Sequence, residues 1–354
     1  MTNQLAGKQL AGKKAFVTGA TGLLGNNLVR ALVARRAAVT ALVRSPRKAC
    51  SQFAGLDGVT VIQGDMTDVP AFAAALAGCE VLFHTAAYFR DSYAGGNHSA
   101  ALKAVNIDGT RALLGAAYAA GVRRVVHTSS IALLDGPPGV ALDETCLRDR
   151  ASADDYYRSK IDADAVVLEF LAAHPEMRIS LVMPGWMHGP GDIGPTSAGQ
   201  VTLDYLNGKI PGATPGTVSV VDARDVADAA IAVAEKGRSG ERYLAAGRHM
   251  TMAEVLAAYE RVTGIPAPKG RIPAAALMVV AAVNEAKSRL TGKPVLLSLA
   301  MVRLMLREAD HTHFDHAKSE RELDLTFRPI EQTLADEVAW YRANGWLEPA
   351  RRSA

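Results

Sequence analysis

The chain has 354 residues, 49% of them hydrophobic, and a formal net charge of +3, so it can bury a large core. The small charge and the lack of a Lys/Arg block argue against a nucleic-acid partner. The longest apolar run, AAALMVVAAV at 274–283, is too short to cross a bilayer, which argues against a membrane partner. Three widely spaced cysteines, Cys50, Cys79 and Cys146, predict buried thiols and a cytoplasmic protein.

Short apolar runs alternate with helical stretches along the first two thirds of the chain. Strands are predicted for KAFVTG, AVTALVR, VTVIQGD, EVLFHTAA, RRVVHTSS and RISLVMPG. The helices between them are predicted for LGNNLVRALVARR, VPAFAAALAG, NIDGTRALLGAAYAAG and the stretch around DDYYRSK. Because the strands are apolar throughout, they indicate an α/β fold: a doubly wound, mostly parallel sheet covered on both faces.

The last third predicts a second, smaller region. A Gly/Pro-rich insertion precedes VSVVDARDVADAAIAVAEK and ERYLAAG, and the tail from about residue 250 is mostly helical. We predict a sheet domain from residues 1–185 and 216–247. Residues 186–215 and 248–354 would form a discontinuous, mainly helical lobe that binds substrate over the carboxyl ends of the strands.

The first strand is followed by a glycine-rich turn. TGATGLLG places Gly19, Gly22 and Gly25 between this strand and the first helix, with the spacing T-G-x-x-G-x-x-G. A phosphate at a helix N-terminus needs bare backbone N–H groups and residues that tolerate unusual φ, and glycine supplies both. The turn therefore predicts a dinucleotide site.

The second strand indicates which dinucleotide. It ends in VRSPRK, where Arg44, Arg47 and Lys48 replace the carboxylate that would bind the ribose of NAD. NADP is therefore predicted, with NAD as the second possibility. The third strand ends in QGDMTD; Asp65 either accepts a hydrogen bond from the adenine amino group, with Met66 against the ring, or caps a turn.

The stretch DDYYRSK is the candidate catalytic helix. Ser152 and Asp155 have the spacing of a capping box at its start. Lys160 is one turn from both Tyr156 and Tyr157, and an ammonium near a phenol lowers the phenol's pKa, which makes it a usable acid or base. Helix spacing alone does not choose between the two tyrosines.

Two further polar features belong to the same constellation. Ser129 and Ser130 end the strand RRVVHTSS, where a hydroxyl can orient a substrate oxygen or cap a turn. Asn106 in VNIDGT opens the preceding helix, either as an N-cap or with its side chain toward the water network of the lysine.

Taken together, these motifs resemble those of extended short-chain dehydrogenases/reductases, the NAD(P)-dependent epimerase/dehydratase class. TGATGLLG, GDMTD, HTAA, VNIDGT, VVHTSS, YYRSK, MPGWMHGPGD and VVDARDVADA occur in that family's order from about residue 13 to 347. VRSPRK and the C-terminal FDHAKSERELDLTFRPIEQTLADEVAWYRANGWL resemble the dihydroflavonol 4-reductase-like group, near cinnamoyl-CoA reductases and 3β-hydroxysteroid dehydrogenases. The resemblance implies a Rossmann sheet and a homodimer formed through helices 106–120 and 154–173.

The resemblance also assigns roles. It selects Tyr156 as acid/base, Lys160 as its modulator and Ser130 as the substrate-orienting hydroxyl; Asn106 completes the catalytic set, and Tyr157 becomes a packing residue. The implied cofactor contacts are Gly19, Thr21, Gly22, Leu23, Gly25, Arg44, Lys48, Asp65, Met66, Thr85, Ala86, Ala87, Tyr156, Lys160, Pro184 and Trp186. The candidate substrate contacts are Tyr88, Ile131 and Trp186.

Departures from the family narrow the function. Ile131 and Ala132 replace the Asp-Glu pair of dehydratases, Leu134 replaces the aromatic residue of sugar epimerases, and Asp135 replaces the asparagine of plant dihydroflavonol reductases. We therefore expect an NADP-dependent oxidoreductase that interconverts a carbonyl and an alcohol on a small-to-medium organic substrate. A nucleotide-sugar epimerase with tightly bound NAD and a non-catalytic dinucleotide sensor are the alternatives.

The sequence HTHFDH places three histidines, His311, His313 and His316, close together near the C-terminus. No carboxylate or histidine partner is evident elsewhere in the sequence, and the resemblance aligns this segment as a helix and turn. We therefore expect no metal site.

Overall fold

The computed structural model describes residues 10–89, 98–291 and 298–347. Its strands are β1 (Lys14–Thr18), β2 (Ala38–Val43), β3 (Val59–Gln63), β4 (Val81–His84), β5 (Arg124–Thr128), β6 (Arg178–Pro184), β7 (Trp186–His188), β8 (Thr217–Asp222), β9 (Arg242–Ala245) and β10 (Arg248–Thr251). Seven form one sheet in the order β3-β2-β1-β4-β5-β6-β9, in which every neighbouring pair is parallel. The predicted doubly wound Rossmann sheet is confirmed.

The helices are α1 (Leu23–Ala34), α2 (Pro46–Gln52), α3 (Ser99–Leu102), α4 (Gly109–Ala119), α5 (Asp155–Ala173), α6 (Ser197–Leu206), α7 (Ala223–Lys236), α8 (Met252–Thr263), α9 (Ala274–Thr291), α10 (Leu299–Arg307), α11 (Ala317–Leu323) and α12 (Ile330–Ala343). No helix of the described ranges is long and apolar enough to cross a membrane.

Two hydrophobic cores cover the two faces of the sheet. Ala15 and Val17 of β1 pack with α1 and α7, whereas Phe16 packs on the opposite side with α4 and α5. Successive residues of a strand point to opposite faces, so a strand buried on both sides must be apolar at every position. This requirement explains why the strands read as continuous apolar runs.

The register brings polar strand ends together at one edge. Thr18 of β1 lies beside His84 of β4, and His84 lies beside His127 of β5. The strand order reverses between β1 and β4, and this reversal opens the crevice where open α/β sheets bind ligands.

A smaller lobe is built from the insertion and the C-terminal region. Its three-stranded sheet has the order β10-β8-β7 and packs with α6, α8 and α12. Strand β8 therefore pairs in this small sheet. The next strand, β9, belongs to the large sheet, and the helix between them, α7, packs on the large sheet. The division of the chain into two domains stays a prediction.

The lobe buries charged side chains. His188 Nδ1 lies 2.9 Å from Glu337 Oε2, and both side chains are fully buried. Asp192 accepts hydrogen bonds from the backbone N–H of Thr196 and the hydroxyl of Tyr341. These contacts join the insertion to the last helix.

Two predicted helices begin elsewhere or are absent. VPAFAAALAG forms two 3-10 turns, Val69–Ala71 and Ala73–Leu76, because the spacing of its buried residues suits a 3-10 turn as well as an α-helix. The helix predicted to open at Asn106 starts at Ser99 and passes through a π-helical turn, Lys103–Asp108, before α4. Asn106 is therefore inside a helix and does not cap one.

Other local predictions also need correction. The N-cap of α5 is Asp154, whose carboxylate accepts the N–H of Tyr157 at 2.7 Å, whereas the Ser152 hydroxyl donates to the carbonyl of Asp149. The cysteines are not uniformly buried, since Cys79 is buried, Cys146 is half-buried and Cys50 is exposed.

Candidate active site

The glycine turn lies at the carboxyl end of β1. Gly19 has φ +64, and a Cβ there would lie 2.9 Å from the backbone of Ala86, so the turn passes close to the segment after β4. A Cβ on Gly25 would lie 2.2 Å from the carbonyl oxygen of Gly19. Only glycine permits both approaches without a backbone shift.

The same turn presents a helix N-terminus. Gly22 caps α1 without a side-chain hydrogen bond, and the first turn of α1 contains no acidic residue. Thr21 is half-buried beside it, whereas Leu23 is buried. An N-terminus with these properties favours an anion, so the turn fits the pyrophosphate of a dinucleotide.

The basic turn after β2 is solvent-exposed. Arg44 and Lys48 are exposed, and Lys48 is on α2. Asp65 Oδ1 accepts the N–H of Thr67 at 2.9 Å and its hydroxyl at 2.7 Å. These bonds, then the charge of Arg44, lower the pKa of Asp65. Asp65 thus has the turn-capping geometry that was one of its two predicted roles.

Met66 is 6% exposed and packs in the core beneath α4. A Cβ on Gly109 at the start of α4 would lie 2.7 Å from the Met66 carbonyl oxygen, so the two segments are in close contact. Most of the Met66 side chain is therefore buried in the core, and its contact with the adenine ring stays a prediction.

The segment after β4 is tied to β1. The hydroxyl of Thr18 accepts the N–H groups of Thr85 and Ala86 at 3.2 Å, and the Thr85 hydroxyl donates to the Thr18 carbonyl at 2.6 Å. The following residue, Ala87, is exposed. The segment therefore borders the crevice beside the glycine turn, and its contact with the nicotinamide side stays a prediction.

Asn106 positions this segment, and its amide hydrogen bonds with Tyr88 and Ser159. Its Oδ1 accepts the N–H of Tyr88 at 2.7 Å, while its Nδ2 donates to the Tyr88 carbonyl at 3.1 Å and to Ser159 Oγ at 3.0 Å. The π-helical turn directs this 3% exposed side chain inward. The Tyr88 hydroxyl is within 2.8 Å of His98 Nδ1.

Tyr156 and Ser130 are brought together as the sequence predicts. The Tyr156 phenol hydrogen bonds with the Ser130 side chain. Ser130 Oγ also accepts the N–H of Ala132 at 3.1 Å, so it caps the turn that holds it. Both readings of this serine, substrate orienter and turn cap, fit one geometry.

Lys160 lies one turn further along α5 and is 4% exposed. Its ammonium donates to the carbonyl of Thr128, at the end of β5, at 2.7 Å. Burial lowers the pKa of Lys160 to about 8, although the nearby carboxylate of Asp164 opposes this shift. The helix and the strand end are thus joined directly at the site.

The phenol of Tyr156 does not behave as we expected. Burial raises its pKa well above the usual value, and the hydrogen bond from Ser130 offsets only part of this effect. The predicted lowering by Lys160 is wrong for this structure, because the lysine is directed at a backbone carbonyl and desolvation dominates.

Tyr157 is held outside this constellation. The guanidinium of Arg148 lies 5.0 Å from the centre of its ring, and burial raises the pKa of its phenol far above the usual value. Arg148 also donates to the Ala132 and Leu134 carbonyls and to Glu308. No sequence motif identifies this arginine, because its partners are distant in the chain.

The predicted substrate contacts surround the site unevenly. Phe89, which was not among the predicted contacts, lies near Tyr156 with the two rings tilted and their centres 4.8 Å apart. Ile131 is half-buried in a small apolar cluster next to Ser130. Trp186 follows the buried Pro184 and donates from its indole N–H to Ser197 at 3.0 Å, so it is directed at the lobe. Asp135 pairs with Arg148 and His311.

The three histidines of HTHFDH have separate contacts. His311 pairs with Asp135, His313 stacks on His249, and His316 accepts the N–H of Ala246. Within the described residues, no group of three or more potential ligands could hold a metal ion.

The crevice, the glycine turn and the Ser-Tyr-Lys set define a dinucleotide-dependent enzyme on a Rossmann sheet. The chain belongs to the NAD dependent epimerase/dehydratase family, whose model matches residues 15–246. It is an NAD(P)-dependent oxidoreductase of the extended short-chain dehydrogenase/reductase type, and the resemblance to the dihydroflavonol 4-reductase-like group is confirmed.

Individual relatives extend over nearly the whole chain. Sterol demethylase protein B of Methylococcus capsulatus is 35% identical and covers 94% of this chain and 99% of its own. A putative dihydroflavonol 4-reductase of Synechocystis is 32% identical over 94% and 96% of the two chains. The crystal structure of gox2253 superposes with a TM-score of 0.80 at 30% identity, covering 95% of this chain and 100% of the other.

Proposed function

We propose that the protein interconverts a carbonyl and an alcohol on a small-to-medium organic substrate, with NADP as its cofactor. The observation that supports this function most strongly is the hydrogen bond between the side chains of Ser130 and Tyr156. The buried Lys160 lies one helical turn from Tyr156. The pair lies at the same sheet edge as the glycine turn. A carbonyl group held by both hydroxyls would therefore face the dinucleotide crevice.

The chain's own residues would handle the substrate oxygen. The bound cofactor supplies the hydride that reduces the carbonyl carbon. Ser130 orients the carbonyl oxygen by a hydrogen bond, and Tyr156 donates the proton that completes the alcohol. Lys160, whose ammonium donates to the Thr128 carbonyl, lies one helical turn from the phenolate that remains. In the reverse direction, Tyr156 accepts the proton of the alcohol.

Tyr156→Phe tests this chemistry. Loss of the general acid should reduce turnover about 10²–10⁴-fold, while NADPH binding, measured by fluorescence titration, stays close to wild type. Tyr157→Phe is the matched control and should be mild, because that ring packs on Arg148. Equal losses in the two variants would contradict the assignment of the proton donor. A panel of aldehydes and ketones, screened for NADPH oxidation, supplies the substrate.

Two basic residues after β2 support NADP as the cofactor. Arg44 and Lys48 are exposed after β2, and both can receive a phosphate. Arg44→Ala should weaken NADPH binding about 10- to 100-fold, as expected for one lost charged hydrogen bond. NADH is the built-in control, since its ribose lacks the phosphate. Equal weakening of both cofactors would argue against a role in selectivity.

The walls of the site support an organic substrate with an apolar body. Phe89, Tyr157 and Ile131 lie near Tyr156 or Ser130, and the relatives include one named for dihydroflavonol reduction. An epimerase is the competing function. Mass spectrometry of the purified protein separates the two, because tightly retained NAD would support the epimerase and contradict the reductase.

We also propose a homodimer formed through α4 and α5. Tyr118 of α4 and Phe170 of α5 form an aromatic group with His174, with ring centres 4.1 and 4.4 Å from that of His174. Light scattering after size-exclusion chromatography tests the dimer. A cytoplasmic location stays a prediction.

A further inference from the structure

The inward face of α5 continues beyond the catalytic residues to a carboxylate. Asp164 follows Lys160 by four residues, as Lys160 follows Tyr156, so all three lie on one face of the helix. Asp164 is 1% exposed. A carboxylate is rarely buried this deeply unless charged or hydrogen-bonding partners hold it.

Asp164 is held by residues at the end of β5 and on β9. Its Oδ2 accepts the Ser129 hydroxyl at 2.9 Å and Arg242 Nε at 3.0 Å. Its Oδ1 lies 3.6 Å from His127 Nε2 and has no hydrogen-bond partner among the residues that the structure describes. The carboxylate therefore connects α5 with the end of β5 and with β9.

Few of the groups that face Lys160 and the Asp164 carboxylate carry a charge. His84 on β4 and His127 on β5 face them from the sheet, and burial lowers both of their pKa values, that of His84 to about 3. Both imidazoles are therefore neutral near pH 7. The remaining facing groups are the phenol of Tyr156 on the same helix and the guanidinium of Arg242 on β9.

Burial also acts on the two charged members of the pair. It raises the pKa of Asp164, whereas Arg242 and Lys160 favour the carboxylate form. Asp164 in turn raises the pKa of Lys160 against the larger effect of burial. The two side chains thus support each other's charged state.

Asn106 does not supply a competing tie to the lysine. Its amide is bonded to Tyr88 and Ser159, as described above. The contacts of Ser129 have a further consequence, because Ser129 precedes Ser130 and its bond to Asp164 fixes the strand end against α5. One carboxylate therefore contacts the strand end of the catalytic set and lies one helical turn from its lysine.

We propose that Asp164 is a positioning residue whose buried carboxylate supports the charge of Lys160 from one helical turn away and, through Ser129, fixes Ser130 relative to Tyr156. The proposal rests on the proposed carbonyl reduction for its kinetic consequence. Its first test measures Lys160 itself in the cofactor-free protein, so that the two proposals can fail separately.

The first test follows the titration of Lys160 by NMR in protein labelled at the lysine ε-carbon. Lys160→Met identifies the resonance. The wild-type midpoint should lie near pH 8, and Asp164→Asn, which keeps the shape of the side chain, should lower it by about one unit or more, because an opposite charge is lost. An unchanged midpoint would overturn the proposal.

Asp162→Asn is the matched control. Asp162 is on the same helix but pairs with Arg150 near the surface, and at two residues from Lys160 it faces another direction. The Lys160 midpoint should stay at the wild-type value. Circular dichroism and thermal unfolding establish that each variant is folded.

The second test is kinetic. Since Lys160 must carry its charge, kcat for carbonyl reduction should fall at high pH, and in Asp164→Asn this fall should move to lower pH while the NADPH dissociation constant is unchanged. A fall at the wild-type pH would count against Asp164. A wild-type protein that reduces no carbonyl would overturn the proposed function, whereas the NMR result would still decide the role of Asp164.

Ser129→Ala provides a second variant if Asp164→Asn does not fold. It removes the tie to the strand end but leaves the carboxylate in place. We expect kcat to fall about tenfold, the value of one hydrogen bond to a charged group, with the Lys160 midpoint unmoved. Wild-type kcat in this variant would contradict the positioning of Ser130 through Ser129.

Discussion

The carboxyl edge of the large sheet and the interior of the small lobe both bury charged side chains, but the two regions are assembled differently. At the sheet edge, Tyr156, Lys160 and Asp164 come from one helix within nine residues of sequence. In the lobe, His188 meets Glu337 from 149 residues away. The edge borders the dinucleotide crevice, whereas the lobe pair ties the insertion to the last helix. Under the proposed function, burial of polar and charged groups serves chemistry in one region and assembly in the other.

Of the substitutions that distinguish the two regions, Gly25→Ala should have the largest effect, and that effect should be confined to cofactor binding at the sheet edge. The new Cβ would lie 2.2 Å from the Gly19 carbonyl oxygen, so the glycine turn must shift. We expect NADPH binding to weaken about 100-fold, equivalent to about 2.7 kcal/mol and within the range of about 1–3 kcal/mol typical of overpacking. Isothermal titration calorimetry measures the affinity.

Gly115→Ala on α4 is the control for this substitution. A Cβ there meets nothing within 4 Å, and alanine is the better helix former by about 1 kcal/mol. Binding should stay at the wild-type level with slightly higher stability. If Gly25→Ala also binds NADPH normally, the glycine turn is not the phosphate site.

Glu337→Leu should affect the lobe in the opposite way. It leaves the buried His188 ring without its carboxylate partner, and a buried polar group that loses its hydrogen bond costs about 1–3 kcal/mol of unfolding free energy. NADPH affinity should be unchanged at temperatures where the variant is folded. Chemical denaturation measures the stability.

Glu331→Leu, on the same helix, removes an exposed pair with Arg261 and should cost less than about 1 kcal/mol. If the Glu337 variant were as stable as this control, the lobe pair would not be a stabilising contact. If it lost cofactor affinity as well, the proposed separation between chemistry and assembly would fail.

His84 lies at the sheet edge, yet we expect it to contribute to the free energy of unfolding. It lies between the hydroxyls of Thr18 and Thr110 at 2.8 and 2.9 Å, and burial lowers its pKa to about 3. The unfolded chain, with a pKa near 6.5, binds this proton first as the pH falls. Stability linked to His84 is therefore present above pH 6.5 and is lost in acid.

Between pH 6.5 and 4 this loss should amount to about 3 kcal/mol. His84→Gln lacks the titrating group, so its stability should depend less on pH by that amount. Urea unfolding of both proteins at several pH values gives the comparison. Parallel curves would show that the histidine is not held neutral.

The same contrast explains what could be predicted from the sequence. Short spacings specify local geometry, so Gly19, Gly22 and Gly25 predicted the helix N-terminus, and Tyr156 with Lys160 predicted one helix face. Contacts between distant segments leave no such spacing, and Arg148 with Glu308 and His188 with Glu337 were not anticipated.

Side-chain environments were harder to predict than positions. The pKa of Tyr156 depends on how deeply the phenol is buried and on where the Lys160 ammonium points, and neither follows from an i,i+4 spacing. Asn106 was predicted either to cap a helix or to reach toward the lysine, but it lies inside a helix that begins seven residues earlier, at Ser99, since the buried Leu102 extends the helical pattern toward the N-terminus.

The π-helical turn at Lys103–Asp108 makes the protein sensitive to chain length at one place. A wide turn accommodates one more residue than an α-turn, and each residue rotates a helix by about 100°. Deleting one residue there would leave α3 and α4 free to join as a regular helix, yet it would rotate Asn106 away from Tyr88. The number of residues between α3 and α4 thus sets the orientation of Asn106. An insertion or deletion there should disturb the structure more than most single side-chain substitutions.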